Sequence, residues 1–380
     1  MIPYSKHYID KQDIDAVVDV LRNKSITQGD LVDKLEKKIS KYVKSKYAVA
    51  VSSCSAGLHL SSKIIGMKNK NVVTSPITFA STASSVLHNG GNLNFIDISE
   101  KNINIDLEKI NTLNSNVHTV IPIHFSGAAV ELKNFRNKNP KIKIIEDSAH
   151  ALGAKYLTGE MVGSCKYSEL SVFSLHPAKT ITAGEGGIIT TNNKDYYDQL
   201  KLLANNGVQK NSEKFKIKKH KNDMWYYEVQ QLGFHYRITD FQCALAISQL
   251  NKINLFLKVR KKIVEKYDKA FKNFNNLKPA IKNLDRKNSS NHLYVVRIKY
   301  KKINKTRNAI MNYLKSRGII TQVHYIPLTN HSFFKKYMNK NNKLKNAKSY
   351  YEEALSLPVY YSLKENEQEK VIKELKYIIG

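Results

Sequence analysis

The 380-residue sequence has few cysteines and no long apolar segment. Cys54, Cys165 and Cys243 lie far apart and form no Cys-x-x-Cys pair, which argues against a disulfide framework or a zinc site. No apolar run reaches the roughly 18 residues that a membrane-spanning helix needs, and residues 1–13 are too polar for a secretion signal. These absences predict a cytoplasmic protein that holds no metal and has no membrane partner.

Acidic residues are also scarce, since 32 aspartates and glutamates accompany 62 lysines and arginines, a net charge of +30. Such an excess can indicate a nucleic-acid-binding protein. The basic residues are spread along the whole chain, however, and no helix-turn-helix, zinc-finger or RNA-recognition signature accompanies them. Because basic charge alone gives only non-specific affinity, we do not expect nucleic acid as the partner. The positive field would favour an anionic small substrate.

The first half of the sequence alternates regularly between strand patterns and helix patterns. Residues 47–53 predict a buried strand that continues directly into a helix near Ser55, and further strands and helices alternate up to residue 147. This alternation predicts an α/β fold in which helices cover both faces of a mainly parallel sheet. The last third has the pattern of a smaller α+β unit. We therefore expect two domains, residues 1–250 and 251–380.

Polar and aromatic residues follow several of the predicted strands. Phe79, Asp147 and His150 each lie at or just after a strand end, where ligands bind in sheets of this kind. Ser55 stands at a helix N-terminus, which suits a phosphate but equally an ordinary serine cap. Asp147 and His150 could begin a metal site, but no third ligand has a suitable spacing. A helix cap or an ion pair is the simpler interpretation of Asp147 alone.

Residues 168–191 have a strand–turn–strand pattern that places Lys179 beside a glycine-rich stretch, residues 184–187. A lysine held between two buried strands is poorly solvated, and burial lowers the pKa of an amine. A neutral lysine is the nucleophile that Schiff-base chemistry needs. Taken alone, Lys179 is more simply one of many surface lysines, so its partners in the sequence decide the interpretation.

A site for pyridoxal 5'-phosphate (PLP) needs a lysine, a carboxylate for the ring nitrogen, a phosphate cradle and an aromatic side chain on the ring face. The chain offers Ser55 with Ala56 as the cradle, then Phe79, Asp147 and Lys179. This set predicts PLP as the cofactor, with Lys179 and Asp147 as the catalytic residues.

Eight motifs extend the pattern over nearly the whole chain. They are ITQG (26–29), SSCSAGLHL (52–60), SPITFAS (75–81), IEDSAHALGAKY (145–156), VGSCKYSELSVFSLHPAKTITAGEGG (162–187), WYYEVQQLGFHYRITDFQCALAISQL (225–250), HLYVVRI (292–298) and QVHYIPL (322–328).

Together these motifs resemble the fold-type I sugar aminotransferases of the DegT/DnrJ/StrS family. Three of them (SPITF, VGSCKYS and the WYY to LGF segment) are most similar to the branch that acts in the pseudaminic acid pathway. The resemblance implies PLP-dependent amination, from L-glutamate, of the 4-keto carbon of a UDP-linked 2-acetamido-2,6-dideoxy-hexulose. It also implies a homodimer with a shared active site.

The resemblance implies a role for each matching residue. Lys179 would carry the cofactor and move the proton during transfer, and Asp147 would keep the pyridine nitrogen protonated. His150 would bond the 3-hydroxyl of the cofactor, and Phe79 would stack on its ring. The residues implied to hold the phosphate are Ser55, Ala56 and Ser174, and those implied to lie near the sugar are Thr27, His324 and Tyr325.

One motif departs from the family pattern. Where the family has an asparagine that reaches the cofactor phosphate of the partner subunit, residues 233–237 place His235. An imidazole can also donate a hydrogen bond to a phosphate. We therefore expect that His235 retains this contact or that another residue takes it over.

Other functions of the same fold stay open at this point. The substrate could be a dTDP- or GDP-linked sugar, or the reacting carbon could be a 3-keto carbon. A sugar 3-dehydratase is disfavoured because such relatives carry histidine at the position of Lys179. A non-catalytic regulator or a basic nucleic-acid-binding protein is disfavoured because Lys179 and Asp147 are both present.

Overall fold

A seven-stranded sheet forms the centre of the N-terminal half of the protein. The computed structural model describes residues 1–113, 116–282, 286–338 and 343–380. The strands in these ranges are β1 (Tyr47–Val51), β2 (Asn71–Thr74), β3 (Asn92–Phe95), β4 (Val117–Ile121), β5 (Lys143–Asp147), β6 (Leu170–Ser174), β7 (Gly187–Thr191), β8 (Val208–Gln209), β9 (Glu228–Val229), β10 (Leu277–Pro279), β11 (Tyr294–Ile298) and β12 (Ala354–Leu357).

Helices connect most of these strands. Among the described residues no helix is long and apolar enough to cross a membrane. The α-helices in the described ranges are α1 (Lys11–Asn23), α2 (Leu31–Val43), α3 (Cys54–Ile65), α4 (Ala80–His88), α5 (Lys133–Lys138), α6 (Lys194–Ala204), α7 (Asp240–Asn251), α8 (Ile253–Phe271), α9 (Arg307–Ser316), α10 (Lys345–Glu353) and α11 (Glu365–Ile379).

The order of strands in the large sheet is β1-β7-β6-β5-β4-β2-β3. Strands β6, β5, β4, β2 and β3 pair in parallel, and only β7 runs antiparallel to its neighbours β1 and β6. This arrangement confirms the predicted mainly parallel sheet. It also brings the carboxyl ends of β1, β2, β5 and β6 to one edge, together with the N-terminal end of β7.

Apolar residues cover both faces of this sheet, as the continuous apolar runs of its strands require. Ala48 and Ala50 of β1 pack in a core with α2 and α7 on one face. Val49 and Val51 alternate with them and pack in a second core with α3, α4 and α6 on the other face. The helices therefore form two layers around the sheet, which confirms the predicted fold-type I architecture.

A smaller antiparallel sheet, of order β10-β11-β12, lies in the C-terminal third. It has its own apolar core with residues of α8, α9 and α11. Ile2 belongs to this core, and its N–H donates to the carbonyl of Gly318 at 2.7 Å. The N-terminal residues thus pack on the C-terminal unit. The domain boundary at residue 250, which falls near the end of α7, stays a prediction.

Candidate active site

A cavity of about 700 Å³ opens at the carboxyl edge of the large sheet. The turn between β1 and α3, the ends of β5 and β6, and the connection from β6 to β7 line one side of it, while residues 322–331 line the other. At this edge both Val51 and Ser174 pair with Gly187. The strand order therefore brings together chain segments that lie more than a hundred residues apart.

Lys179 projects into this cavity from the connection between β6 and β7. Burial lowers the pKa of its amine, while Cys54 and the Asp147 carboxylate act in the opposite direction and Arg260 lowers it further. A lowered pKa increases the fraction of neutral amine near pH 7. The amine of Lys179 is therefore better suited to nucleophilic and proton-transfer chemistry than that of an ordinary surface lysine.

Asp147 is almost fully buried at the end of β5, and both of its oxygens accept hydrogen bonds. Thr82 Oγ1 donates to Oδ2 at 2.6 Å, and the Ala149 N–H donates to Oδ1 at 3.1 Å. Burial raises the pKa of Asp147, and these donors and the Lys179 ammonium oppose the rise. The Thr82 hydroxyl has one proton, so Thr78 Oγ1, at 2.7 Å from Thr82 Oγ1, must be the donor of that bond.

His150 is held between the two halves of the cavity. The Ser126 N–H donates to its Nδ1 at 3.3 Å, and its Nε2 lies 3.0 Å from Tyr325 Oη. Burial lowers the pKa of His150 well below its usual range, with Lys179 and His324 adding to the effect. Because Nδ1 accepts, the neutral ring carries its proton on Nε2 and donates it to Tyr325. The hydroxyl proton of Tyr325 is left free for another acceptor.

The first turn of α3 also lines the cavity. Ser53 caps the helix, and its Oγ accepts the N–H of Ala56 at 3.1 Å. The N–H groups of Cys54 and Ser55 precede the first intrahelical bond, so they point outward as donors at the positive end of the helix dipole. A Cβ at Gly187 would lie 2.4 Å from the Ser53 carbonyl oxygen. Only glycine there allows β7 to approach this turn so closely.

Most of the predicted site residues line this one cavity. Phe79, at the start of α4, has 62% of its surface exposed and presents its ring there. Ala56 is buried, and its N–H is already used by the Ser53 cap. The predicted residues that line the cavity are Ser55, Phe79, Asp147, His150, Ser174, Lys179, His324 and Tyr325.

Three predicted residues, Ala56, Thr27 and His235, do not line the cavity. Thr27 is exposed and does not line it. His235 is also exposed, and its Nε2 lies 2.8 Å from Nη2 of Arg237. Their roles toward substrate and phosphate stay predictions.

Four residues that the sequence did not single out also belong to the cavity or its support. Cys54 and His292 line it, and the His292 ring lies 4.4 Å from that of His150, centroid to centroid. Tyr4 lines it from the N-terminus, and Thr82 supports Asp147. Cys54 could have been found beside Ser55, whereas Tyr4 and His292 lie far from the other site residues in sequence.

Comparison with known proteins places the chain in a family. The model of the DegT/DnrJ/EryC1/StrS aminotransferase family matches residues 7–376. The chain belongs to this family. It is therefore a sugar aminotransferase, which confirms the resemblance seen in the sequence.

Individual relatives of this family cover the whole chain. It is 35% identical, over all of its length and 96% of the relative, to UDP-4-amino-4,6-dideoxy-N-acetyl-beta-L-altrosamine transaminase of Campylobacter jejuni subsp. jejuni serotype O:23/36 (strain 81-176). The structure is similar to that of Helicobacter pylori PseC, an aminotransferase involved in the biosynthesis of pseudoaminic acid. The TM-score is 0.90 at 27% identity, over 100% of this chain and 99% of the other.

A second similar structure is that of an aminotransferase in its PLP form. The PLP form of the putative sugar aminotransferase Spr1654 from Streptococcus pneumoniae has a TM-score of 0.87 at 25% identity, covering 100% of this chain and 98% of the other. The cavity of the present chain fits such a cofactor. It offers the lysine Lys179, the buried carboxylate of Asp147, the exposed ring of Phe79 and the free N–H donors of α3.

Proposed function

We propose that the protein binds PLP at Lys179 and transfers the amino group of L-glutamate to C4 of a UDP-linked 2-acetamido-2,6-dideoxy-hexos-4-ulose. The product would be UDP-4-amino-4,6-dideoxy-N-acetyl-beta-L-altrosamine for pseudaminic acid biosynthesis. One observation carries the cofactor assignment: Lys179, Asp147, Phe79 and the first turn of α3 meet in a single cavity. The names of the Campylobacter and Helicobacter relatives support the choice of sugar.

When bound, PLP supplies an electron sink that makes the carbon next to the transferred nitrogen acidic. Lys179 would hold the cofactor covalently and, once displaced by the incoming amine, would accept and return the proton at the reacting carbon. Its lowered pKa suits this task, because a base must be neutral before it can accept a proton. Asp147 would hold a proton on the ring nitrogen, and its bond from Thr82 favours the charged carboxylate that this requires.

The remaining residues would bind and orient. Phe79 would cover one face of the ring, and the N–H groups of Cys54 and Ser55, with the hydroxyl of Ser174, would hold the phosphate. The neutral His150 ring donates its only N–H, at Nε2, to Tyr325. In this tautomer it would contact the cofactor through the ring face and not by donating a hydrogen bond. Closure of the cavity by residues 322–331 would exclude water from the reacting atoms.

A homodimer with shared active sites belongs to the proposal. His235 is exposed and lies outside the cavity of its own chain, as a residue that serves the partner's site would. The preceding segment exposes large apolar side chains, including Met224, Trp225 and Leu232, which a subunit contact would cover. Cytoplasmic location stays a prediction.

Mixing two inactive variants tests the shared site. Lys179→Ala and His235→Ala would each impair every site of their own homodimers. A mixed dimer has one site in which both residues are wild type, so mixing should restore part of the cofactor binding and activity. No recovery after subunit exchange, verified by mass, would contradict a shared site.

Substrate selection is tested by offering 4-keto sugars linked to UDP, dTDP or GDP, with L-glutamate as donor. The proposal predicts 2-oxoglutarate release with the UDP-linked 2-acetamido sugar, and none with Lys179→Ala under the same conditions. Faster release with a dTDP or GDP sugar would keep the aminotransferase assignment and replace the proposed substrate. No release with any sugar or donor would contradict the proposed reaction.

A further inference from the structure

Arg260 carries a buried charge that no carboxylate of the described ranges neutralises. Its side chain in α8 is 3% exposed, and Nη1 donates to the carbonyls of His292 at 3.2 Å and Val359 at 3.1 Å. Its Nε has no hydrogen-bond partner in the part of the chain that the structure describes. Within the described residues no aspartate or glutamate oxygen lies within 4.0 Å of the guanidinium, unlike the buried Arg286, which pairs with Asp268. A buried unpaired charge is costly, so its presence requires an explanation.

The position of Arg260 provides one. Its side chain and that of Lys179 line the same narrow cavity behind the active site, together with Thr180, Gln249 and Tyr361. The guanidinium thus lies behind the lysine, on the side away from the large cavity. In this poorly hydrated environment its field is screened less than it would be at the surface.

Groups on several other elements raise or lower the pKa of Lys179. Asp147 at the end of β5 and Cys54 at the start of α3 favour the charged ammonium, whereas burial and Arg260 disfavour it. The field of Lys179 in turn reaches the buried rings of His150 and His292, whose pKa values burial lowers well below their usual range. Arg260 and the Asp147 carboxylate thus have opposite effects on the pKa of Lys179. The cofactor chemistry requires the carboxylate, and Arg260 offsets part of its effect on the lysine.

We propose that Arg260 is a positioning residue whose unpaired charge, across the narrow cavity that it lines together with Lys179, opposes protonation of the Lys179 amine. The inference takes the reacting role of Lys179 from the proposed function. The field itself acts in the protein whether or not PLP is bound. It can therefore be measured without the cofactor.

The effect of the Arg260 charge has to be distinguished from a purely structural role, because Arg260 also links α8 to the carbonyls of His292 and Val359 by hydrogen bonds. Arg260→Lys and Arg260→Met have side chains of similar length, and both lose the arginine geometry. Only the methionine variant also loses the charge. A structural role predicts equal effects of the two variants, and a field effect predicts a difference between them.

The experiment measures the pKa of Lys179 in the cofactor-free protein. Trace acetylation across a pH series, followed by peptide mass spectrometry, reports the midpoint for Lys179, with the exposed Lys37 as internal reference. We expect wild type and Arg260→Lys to share a midpoint below that of Lys37. In Arg260→Met the midpoint should rise by about one unit, as expected for loss of a nearby charge.

Equal midpoints in Arg260→Lys and Arg260→Met would overturn the proposal. Arg260→Gln replaces the methionine variant if that variant does not fold, as judged by circular dichroism. A wild-type midpoint that is not below that of Lys37 overturns the proposal without any variant. A separate PLP titration of wild type tests the proposed function, so loss of one assignment is not confused with loss of the other.

Discussion

Replacement of Thr82 by valine should weaken cofactor binding, although Thr82 does not line the cavity. Valine has nearly the same shape but removes the hydroxyl that donates to Asp147 Oδ2 at 2.6 Å. It also deprives the Thr78 hydroxyl of its acceptor. The Ala149 N–H would remain as the donor to Oδ1. The buried carboxylate would then have lost the shorter of these two hydrogen bonds.

The expected loss of PLP affinity follows from the negative charge of the Asp147 carboxylate, which accepts the hydrogen bond from Thr82. A hydrogen bond to a charged group contributes about 1.5–3 kcal/mol, which corresponds to a roughly 10- to 150-fold change in an equilibrium constant. Burial already raises the pKa of Asp147, and loss of Thr82 would raise it further. The protonated acid cannot hold the ring nitrogen as an ion pair. We therefore expect PLP to dissociate at least about tenfold more readily from Thr82→Val.

The assay is an absorbance titration of cofactor-free protein with PLP at several pH values. The deficit of Thr82→Val should grow as the pH falls, because more of its Asp147 is protonated at a given pH. Thr82→Ser retains the hydroxyl and should bind PLP nearly as tightly as wild type. Equal affinity of Thr82→Val and wild type at every pH would show that the Thr82 hydroxyl does not support the Asp147 carboxylate.

Two further predictions concern Gly187, beside the turn between β1 and α3, and the buried His324. Gly187→Ala should cost about 1–3 kcal/mol of stability and weaken PLP binding, because its Cβ would lie 2.4 Å from the Ser53 oxygen. Gly159→Ala is a control for backbone strain, since Gly159 has a φ of +93° and open space around its Cβ. It should lose stability but bind PLP like wild type, and PLP titrations compare the two variants. Burial lowers the pKa of His324 to about 3, so below about pH 6.5 the unfolded state binds the proton that the folded state excludes, and stability falls by up to about 1.4 kcal/mol per pH unit. His324→Asn should reduce the slope of urea-unfolding free energy between pH 7.5 and 5.5 by this share, while His150 and His292, whose pKa values burial also lowers, keep the rest. An unchanged slope would contradict the lowered pKa of His324.

The sequence predicts the part of the site that lies at strand ends. Asp147, Phe79 and the start of α3 each follow a strand, and a mainly parallel sheet brings such ends to one edge whatever the details of packing. The position of Lys179 followed from the strand–turn–strand pattern around it. The strand order itself, with β7 inserted antiparallel between β1 and β6, has no local signal.

Residues that act through tertiary packing could not be predicted in the same way. Arg260 reaches the cavity behind Lys179, and His292 reaches the active-site cavity itself. Both belong to the C-terminal third of the chain and are joined by a hydrogen bond from Arg260 to the His292 carbonyl. The sequence gives only a weak indication of the contact between Thr78 and Thr82. The two residues are four positions apart at the start of α4, a spacing that places side chains on the same side of a helix. Neither spacing nor residue type says that the Thr82 hydroxyl reaches Asp147.

The residue that carries the cofactor can be identified by chemical labelling. The protein is loaded with PLP, reduced with borohydride, digested and mapped by mass spectrometry. The account predicts a phosphopyridoxyl group on Lys179, and its loss when L-glutamate is added before reduction. A label on another lysine, a label spread over many lysines, or no label at all would contradict the assignment of Lys179.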